Sequence, residues 1–263
     1  MVRKTMPELV QERLCTTRFG KQIFFSRAVS STNRWARQLA ESGAEEGTVT
    51  VAETQTAGRG RLGREWISPQ GGLWFSIILR PRKSATEVAK LAFVASLAVT
   101  KVLRRKYGLC AETKWPNDVT VNGRKICGIL GETNSSAKKS DFTVLGIGIN
   151  ANVQVSMYFS QLIGPIVTSI QDELGRKIAL DKLFRAVLEE LEKFYDLFIT
   201  EGFDPVLTQW KKYAGFLGKQ IAVQDGTEKI CGLAFDVDTD GALILKLENA
   251  TLRRVVVGDV SLQ

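Results

Sequence analysis

A change in the spacing of apolar residues near Gly215 constrains the fold of this chain more than any other feature of its sequence. Before Gly215, apolar residues recur at helical spacing or in buried runs, with loops between them. After it, short strand-like segments follow one another, and Asp225-Gly226 and Asp240-Gly241 mark turns between them. We therefore predict three parts: an N-terminal extension over 1–20, an α+β domain over 21–213 and a small β-barrel over 214–263.

The local patterns predict individual helices and strands. Strands are expected over 21–25, 48–52, 72–79, 119–121, 126–130 and 142–149, and in the barrel over 220–224, 230–237, 242–247 and 251–257. Helices are expected over 8–14, 33–42, 85–107, 168–174 and 180–200. Ser30, Ser31 and Thr32 offer hydroxyls to cap the second helix, and Asn122-Gly123 predicts a tight hairpin turn.

The chain contains no histidine, and this excludes several classes of enzyme. A Ser-His-Asp or Cys-His catalytic group, a histidine general base and a histidine-ligated zinc site all need that residue. The four cysteines lie far apart, at positions 15, 110, 127 and 231, which favours free thiols in a reducing compartment. The net charge of +8 favours an anionic partner: a phosphate, a nucleic acid or an acidic protein.

The sequence gives no indication of a membrane partner. No apolar run approaches the roughly 20 residues that span a bilayer. Residues 1–11 also lack the apolar stretch of a signal peptide. We therefore expect a cytoplasmic protein.

The loop from Gly58 to Arg64 is rich in glycine and arginine, and its chemistry suits an anion. It matches G-x-G-x-x-G, but the following Trp66-Ile67-Ser68-Pro69 cannot open the helix that a dinucleotide-binding fold needs. The glycines let backbone N–H groups approach a phosphate closely, and the arginines Arg59, Arg61 and Arg64 add forked donors. A solvated basic turn is the alternative.

Two further segments combine polar residues or glycines with buried strands. Lys125 follows the hairpin turn in a strand otherwise rich in isoleucine and leucine, so it is either an edge residue that points to solvent or an active-site cation. Gly146 and Gly148 share one face of a strand, which leaves room either for a flat ligand or for a closely packed helix.

Several motifs, in this order, resemble those of the biotin–protein ligases. They are Ser31-Thr32-Asn33, the run from Gln55 to Trp66, Lys114-Trp115-Pro116-Asn117-Asp118, Lys125-x-x-Gly128-Ile129-Leu130 and Gly146-x-Gly148-x-Asn150, with Thr168-Ser169, Gly241-Ala242-Leu243 and Gly258-Asp259-Val260-Ser261-Leu262 further on. The resemblance implies an α+β fold with a mixed β-sheet and packed helices, similar to the catalytic domain of class II aminoacyl-tRNA synthetases. It also implies a C-terminal SH3-like β-barrel.

The resemblance implies a ligase activity in two steps. Biotin and ATP with Mg²⁺ form biotinyl-5′-AMP and pyrophosphate, and the biotinyl group then passes to one lysine of a biotin carboxyl carrier protein or domain of a biotin-dependent carboxylase, such as acetyl-CoA carboxylase. Mg²⁺ is expected on the ATP phosphates, without a dedicated protein site. A homodimer is compatible with the family. Some members carry an N-terminal DNA-binding domain that residues 1–20 are too short to supply, so no specific DNA binding is expected.

The resemblance also implies roles for individual residues. The implied biotin-binding residues are Ser31, Thr32, Asn33, Gln55, Gly58, Arg59, Gly60, Arg61, Lys125 and Gly128. The implied residues for ATP and the adenylate are Arg59, Arg61, Trp66, Asn117, Lys125 and Asn150. The implied catalytic residues are Lys125, Arg61 and Asp118.

Two alternatives remain open on the sequence. A lipoate–protein ligase has a related fold and uses the same adenylate chemistry. A basic nucleic-acid-binding protein is the non-enzyme alternative, because residues 80–110 hold eight basic residues and one acidic residue. Binding to DNA that weakens steeply with salt and shows no sequence preference would mark simple charge attraction.

Overall fold

The computed structural model describes residues 6–136, 139–158, 166–225 and 228–262, so Gly226 of one predicted turn lies outside the described residues. The helices are α1 Met6–Gln11, α2 Thr32–Glu41, α3 Ala85–Ala89, α4 Leu91–Tyr107, α5 Val155–Tyr158, α6 Ile170–Leu174, α7 Leu180–Glu201 and α8 Asp204–Lys211. The strands are β1 Ile23–Val29, β2 Val49–Gln55, β3 Leu73–Leu79, β4 Ala111–Lys114, β5 Asp118–Val121, β6 Arg124–Ser136, β7 Lys139–Ile149, β8 Gln220–Asp225, β9 Glu228–Val237, β10 Leu243–Lys246, β11 Leu252–Val255 and β12 Asp259–Leu262.

A seven-stranded mixed sheet forms the centre of the larger unit. Its strand order is β1-β2-β3-β7-β6-β5-β4, in which β1 and β2 are parallel and the other neighbours antiparallel. Strand β3 is buried along its whole length because it lies in the middle of this sheet. Helices α4 and α7 pack against each other and share one hydrophobic core with the sheet. The predicted α+β fold with a mixed sheet is confirmed.

The second unit is a small antiparallel sheet with the order β11-β10-β9-β8-β12. This SH3-like unit confirms the predicted change of pattern after Gly215. Its last strand, β12, was not predicted from spacing, since Gly258 precedes only four strand residues. The boundary at residue 213 stays a prediction.

The two units contact each other through hydrogen bonds as well as apolar packing. The indole N–H of Trp115 donates to the carbonyl of Gly241 at 2.9 Å. The ammonium of Lys90 donates to the carbonyl of Thr239 at 2.9 Å. The small barrel is therefore held against the segments that carry the predicted site.

Three local predictions need correction or completion. The helix predicted over 85–107 is divided at Lys90, whose N–H bonds to Glu87 three residues back, as in a tight 3₁₀ turn, instead of continuing the α-helical pattern. Ser31 occupies the N-cap position of α2, but its hydroxyl makes no capping hydrogen bond. Helix α8 was missed, although Asp204-Pro205 is a typical helix start.

The predicted hairpin turn is present. Asn122 and Gly123 both have positive φ values, 51° and 75°, as a two-residue turn between twisted strands requires. Among the described helices, none is long and apolar enough to cross a membrane.

Candidate active site

A β-bulge in β6 directs Lys125 toward the site. Pairing with β5 is regular at Asp118–Gly128 and Val119–Cys127, but Thr120 then pairs with Lys125, so Ile126 is the extra residue. Side chains alternate between the faces of a regular strand, so without this bulge Lys125 would point away from Gly128. With it, Lys125 shares a face with Asp118 and Gly128. Lys125 also has a backbone neighbour on each side, Thr120 of β5 and the bridge to Val167, so it is not on a free edge.

One row of cross-strand partners forms the floor of the site. The row runs Lys114, Asp118, Gly128, Gly148, Trp74 through β4, β5, β6, β7 and β3. Cross-strand partners point to the same face of a sheet. A Cβ on Gly148 would lie 2.5 Å from Nε1 of Trp66, and a Cβ on Gly128 would lie 2.8 Å from the same ring. The two glycines therefore let the Trp66 ring lie flat on the sheet.

A second row on the same face supports the start of helix α2. It runs Leu130, Gly146, Ser76, Thr50. A Cβ on Gly146 would lie 2.0 Å from Oδ1 of Asn33, so Gly146 admits the first turn of the helix. Close packing against a helix is thus the interpretation that holds for Gly146, whereas Gly148 makes room for the protein's own Trp66 ring and the flat ligand stays a prediction.

A cavity of about 260 Å³ opens above these rows. Most of the residues predicted for the site line it, namely Ser31, Thr32, Asn33, Gln55, Arg59, Gly60, Arg61, Trp66, Asn117, Lys125, Gly128 and Asn150. Two do not. Gly58 lies behind the loop, where a Cβ would meet the Trp66 carbonyl at 2.3 Å, and Asp118 lies behind Lys125.

One end of the cavity is polar and uncharged. The N–H and the hydroxyl of Thr32 both face Oε1 of Gln55, at 2.8 and 3.0 Å. The Gln55 amide nitrogen donates to the Ser68 hydroxyl at 2.7 Å. Ser31 and Thr32 are 5% and 3% exposed, so a ligand here would be enclosed by hydrogen-bonding groups.

The arginine loop forms the opposite, charged end, and the barrel takes part in it. Arg61 donates to Oδ1 of Asn117 at 2.8 Å and to the carbonyl of Gly258 at 3.3 Å. The carboxylate of Asp259 pairs with both Arg61 and Arg64. The loop is therefore held over the cavity by residues of the C-terminal unit.

Two lysines flank Asp118 on the floor. The ammonium of Lys125 lies 2.7 Å from Oδ1 of Asp118 and 5.1 Å from the centre of the Trp66 ring. Burial lowers the pKa of Lys114 below its ordinary value; the Asp118 carboxylate opposes this shift, and the Lys125 ammonium adds to it. The charged end is thus already rich in positive charge before a ligand arrives.

Two buried polar atoms of uncharged side chains at the cavity make no hydrogen bond with the described residues. They are Oδ1 of Asn150, an acceptor, and Nε1 of Trp66, a donor. The amide nitrogen of Asn150 is fixed by the Thr168 carbonyl at 3.0 Å, so Oδ1 has a defined direction. Because burying such atoms unpaired costs about 1–3 kcal/mol each, they mark places where a ligand should supply partners.

Sequence reasoning missed some residues of the site. Val167 lines the cavity because the segment after Ile166 bridges to Lys125, a tertiary contact with no local pattern. Asp259 was noted only within a terminal motif. Ser76 was detectable, since it is a lone polar residue in the apolar strand Leu73–Leu79.

Comparison with known proteins agrees with this architecture. Residues 25–150 match the Biotin/lipoate A/B protein ligase family, and residues 216–263 match the Biotin protein ligase C terminal domain. The bifunctional ligase/repressor BirA of Bacillus spizizenii is 34% identical over 250 residues, which cover 95% of this chain and 76% of that protein. The biotin–[acetyl-CoA-carboxylase] ligase of Paracoccus denitrificans is 34% identical over 82% of this chain and 90% of its own length.

A solved structure shows the same fold. The biotin protein ligase from Aquifex aeolicus in complex with biotin and ATP superimposes with a TM-score of 0.80 at 28% identity, over 92% of this chain and 99% of that one. The chain therefore belongs to the biotin protein ligase family, and it is a ligase.

Proposed function

We propose that this ligase joins biotin to ATP as biotinyl-5′-AMP and transfers the biotinyl group to a lysine of a biotin carboxyl carrier domain. The observation that carries the proposal is that one cavity has three different regions. One end offers uncharged hydrogen-bonding groups, the middle is flat and lined by glycines, and the other end is cationic. A ligand with a polar ring, an apolar chain and a carboxylate, placed beside a nucleotide, matches this order.

The unpaired atoms of the cavity support the proposal that it binds a nucleotide. Oδ1 of Asn150 can accept a hydrogen bond from the exocyclic amine of adenine, and the ring of Trp66 can stack on the base or cover the adenylate. The arginines Arg59, Arg61 and Arg64 suit the phosphates, because guanidinium groups bind phosphate with two parallel hydrogen bonds. Asn117 would hold Arg61 in place.

The polar end of the cavity supports the proposal that it binds the ring system of biotin. Thr32 and Gln55 form a pair of hydrogen-bonding groups beside the enclosed hydroxyl of Ser31. Gly60 leaves room along the chain of the ligand, while Gly128 lines the cavity beneath the Trp66 ring. Asn33 lines the cavity beside these residues. Its amide also bonds to Ser76, Glu132 and the Leu130 carbonyl, so it would fix the start of helix α2.

The charges of the site match the first chemical step. The carboxylate of biotin must attack the α-phosphorus of ATP with loss of pyrophosphate, and both groups are anions. Lys125 and Arg61 can neutralise the charge that builds on the reacting oxygens, and preorganised donors of this kind contribute most of the rate enhancement in many enzymes. The loop that Asp259 holds over the cavity can exclude water from the reactive anhydride.

Mg²⁺ fits this site as a companion of ATP. Among the described residues no cluster of three or more metal-ligating side chains is present. The nearby Oδ1 of Asp118 is buried and already paired with the Lys125 ammonium at 2.7 Å, so the ATP phosphates would hold the ion. The ion would supply charge neutralisation at the phosphates.

The second step needs only an amine and a base. The acceptor lysine must lose a proton before its nitrogen attacks the acyl carbon and AMP leaves. We infer that Asp118 takes that proton, since its carboxylate lies 2.7 Å from the ammonium of Lys125, which lines the cavity. The acidic surface of a carrier domain would suit the net charge of +8.

The basic stretch 80–110 gives no separate support to nucleic-acid binding. Lys83 pairs with Glu87, Lys90 with Asp240, and both Lys101 and Arg105 with Glu190. Much of this charge is therefore already compensated within the protein.

A coupled assay tests the proposal. The protein is incubated with ATP, Mg²⁺ and either biotin or lipoate, with and without a carboxyl carrier domain, and both pyrophosphate and modified carrier are measured. We expect pyrophosphate with biotin alone and biotinylated carrier when the carrier is present. Lipoylated carrier without biotinylated carrier would contradict the proposal, as would the absence of any product with a competent carrier.

A further inference from the structure

A buried serine lies beneath the polar end of the cavity. Ser76 is on the central strand β3, is fully buried and does not line the cavity. Its hydroxyl lies 2.6 Å from Oδ1 of Asn33 and 2.8 Å from the hydroxyl of Thr32. Thr32 in turn lies 3.0 Å from Oε1 of Gln55. These four oxygens form a chain of three close contacts.

The orientation of both amides in this chain is fixed by their other partners. The amide nitrogen of Asn33 faces two acceptors, Glu132 and the Leu130 carbonyl, so its oxygen must face Ser76. The amide oxygen of Gln55 faces the backbone N–H of Thr32, and its nitrogen faces Ser68. Neither amide can turn over without placing a donor against a donor or an acceptor against an acceptor.

The chain of oxygens is therefore one proton short. Three oxygen–oxygen contacts need three hydrogens, but only the hydroxyls of Ser76 and Thr32 carry one. The Asn33 contact is the shortest, so Ser76 donates there. The Thr32 proton is then shared by two contacts: it goes inward to Ser76 or outward to Gln55.

We propose that Ser76 is a positioning residue that draws the Thr32 hydroxyl proton into the sheet, which leaves Thr32 and Gln55 as paired acceptors for an N–H group of the ligand. The inference rests on the proposed function, since the N–H would belong to the cyclic urea of biotin. The ligand would supply the missing third hydrogen. A ligand of the same shape with oxygen in place of the urea nitrogens would put acceptors against acceptors.

The test compares two ligands across a set of variants. Adenylate formation is followed by pyrophosphate release with biotin and with its cyclic carbonate analogue, which keeps the carbonyl but has no N–H. The quantity measured is the ratio of kcat/KM for the two ligands. In Ser76→Ala the Thr32 proton has only Gln55 to bond, so the preference for biotin should fall by about two- to tenfold, the value of one hydrogen bond. KM for ATP should not change.

Matched variants separate positioning from simple packing. Thr50→Val removes another fully buried hydroxyl, one that donates to the Thr32 carbonyl at 3.0 Å and lies beside Ser76 in the same row. This variant should leave the ratio at its wild-type value. Thr32→Val should lower the ratio by itself, even if Ser76→Ala folds poorly. Adding Ser76→Ala to Thr32→Val should lower it little further, because the two residues act through one proton.

The outcomes distinguish this inference from the function on which it rests. An unchanged ratio in Ser76→Ala, with both ligands weakened equally, would show a packing role and overturn the inference alone. Additive effects of Ser76→Ala and Thr32→Val would do the same. Failure of the wild-type protein to release pyrophosphate with biotin would overturn the proposed function, and the inference with it.

Discussion

Replacing Lys125 with alanine should slow adenylate formation by about 10²–10³-fold, or roughly 3–4 kcal/mol in the barrier. The bulge at Ile126 turns the Lys125 ammonium onto the floor of the cavity, where it contacts Asp118 at 2.7 Å. The side chain of Lys125 is 32% exposed, but the Asp118 oxygen that it contacts is buried, so its loss should cost stability about 1–3 kcal/mol. That is below a total of about 5–15 kcal/mol, and the activity loss would therefore not come from unfolding.

The assay is single-turnover pyrophosphate release with saturating biotin and ATP. Lys193→Ala is the control, because it removes the same charge from an exposed position on α7. Lys125→Arg should restore little activity, since a planar fork cannot replace a compact ammonium between Asp118 and Trp66. A loss below about threefold for Lys125→Ala, under 1 kcal/mol, would refute the reasoning. So would wild-type rates for Lys125→Arg.

Three further outcomes follow from contacts of the site. Arg61→Gly should speed dissociation of biotinyl-5′-AMP about 10- to 100-fold, more than it slows synthesis, because a charge-assisted contact to the intermediate is lost; equal dissociation rates in a filter or dilution assay would contradict this. Gly146→Ala should lower both thermal stability and kcat/KM for biotin, because the new Cβ would lie 2.0 Å from Asn33, whereas Gly131→Ala, with its nearest neighbour at 3.9 Å, should do neither. Lys114→Met should raise the free energy of unfolding at pH 7. Burial depresses the folded-state pKa of this lysine, so the unfolded chain binds more protons below pH 10.5. The free energies of unfolding of the variant and the wild type, measured by urea titration, should therefore approach each other as the pH rises toward 10.5. A difference that stays constant with pH would contradict this prediction.

The residues of the site were easier to predict than the way in which they meet. The resemblance to the biotin–protein ligases, carried by short motifs in a fixed order, implied twelve residues that line the cavity. The face of the sheet to which Lys125 points could not be predicted. A regular strand and a strand with a bulge at Ile126 place its side chain on opposite faces, and the local sequence favours neither arrangement. From the sequence alone, Lys125 could therefore be either a solvent-exposed residue or a residue of the site.

Contacts between distant segments account for the rest. Asp259 reaches the arginine loop only because the barrel docks beside it, and Ser76 lies under Thr32 only because of how α2 crosses the sheet. Neither contact leaves a periodic pattern or a motif in the sequence. Lys90, where the predicted helix divides, makes such a contact too, since its ammonium donates to the Thr239 carbonyl of the barrel.

For protein engineering, the number of residues in β6 between Lys125 and Gly128 matters, because it decides to which face of the sheet Lys125 points. Removing Ile126 would restore regular pairing with β5 and leave Lys125 opposite Thr120, still on the face of the site. Removing Cys127 as well would place Lys125 next to Gly128 and turn the lysine side chain to the opposite face. A library built from this scaffold should therefore vary side chains between Arg124 and Gly128 and leave the number of residues there fixed.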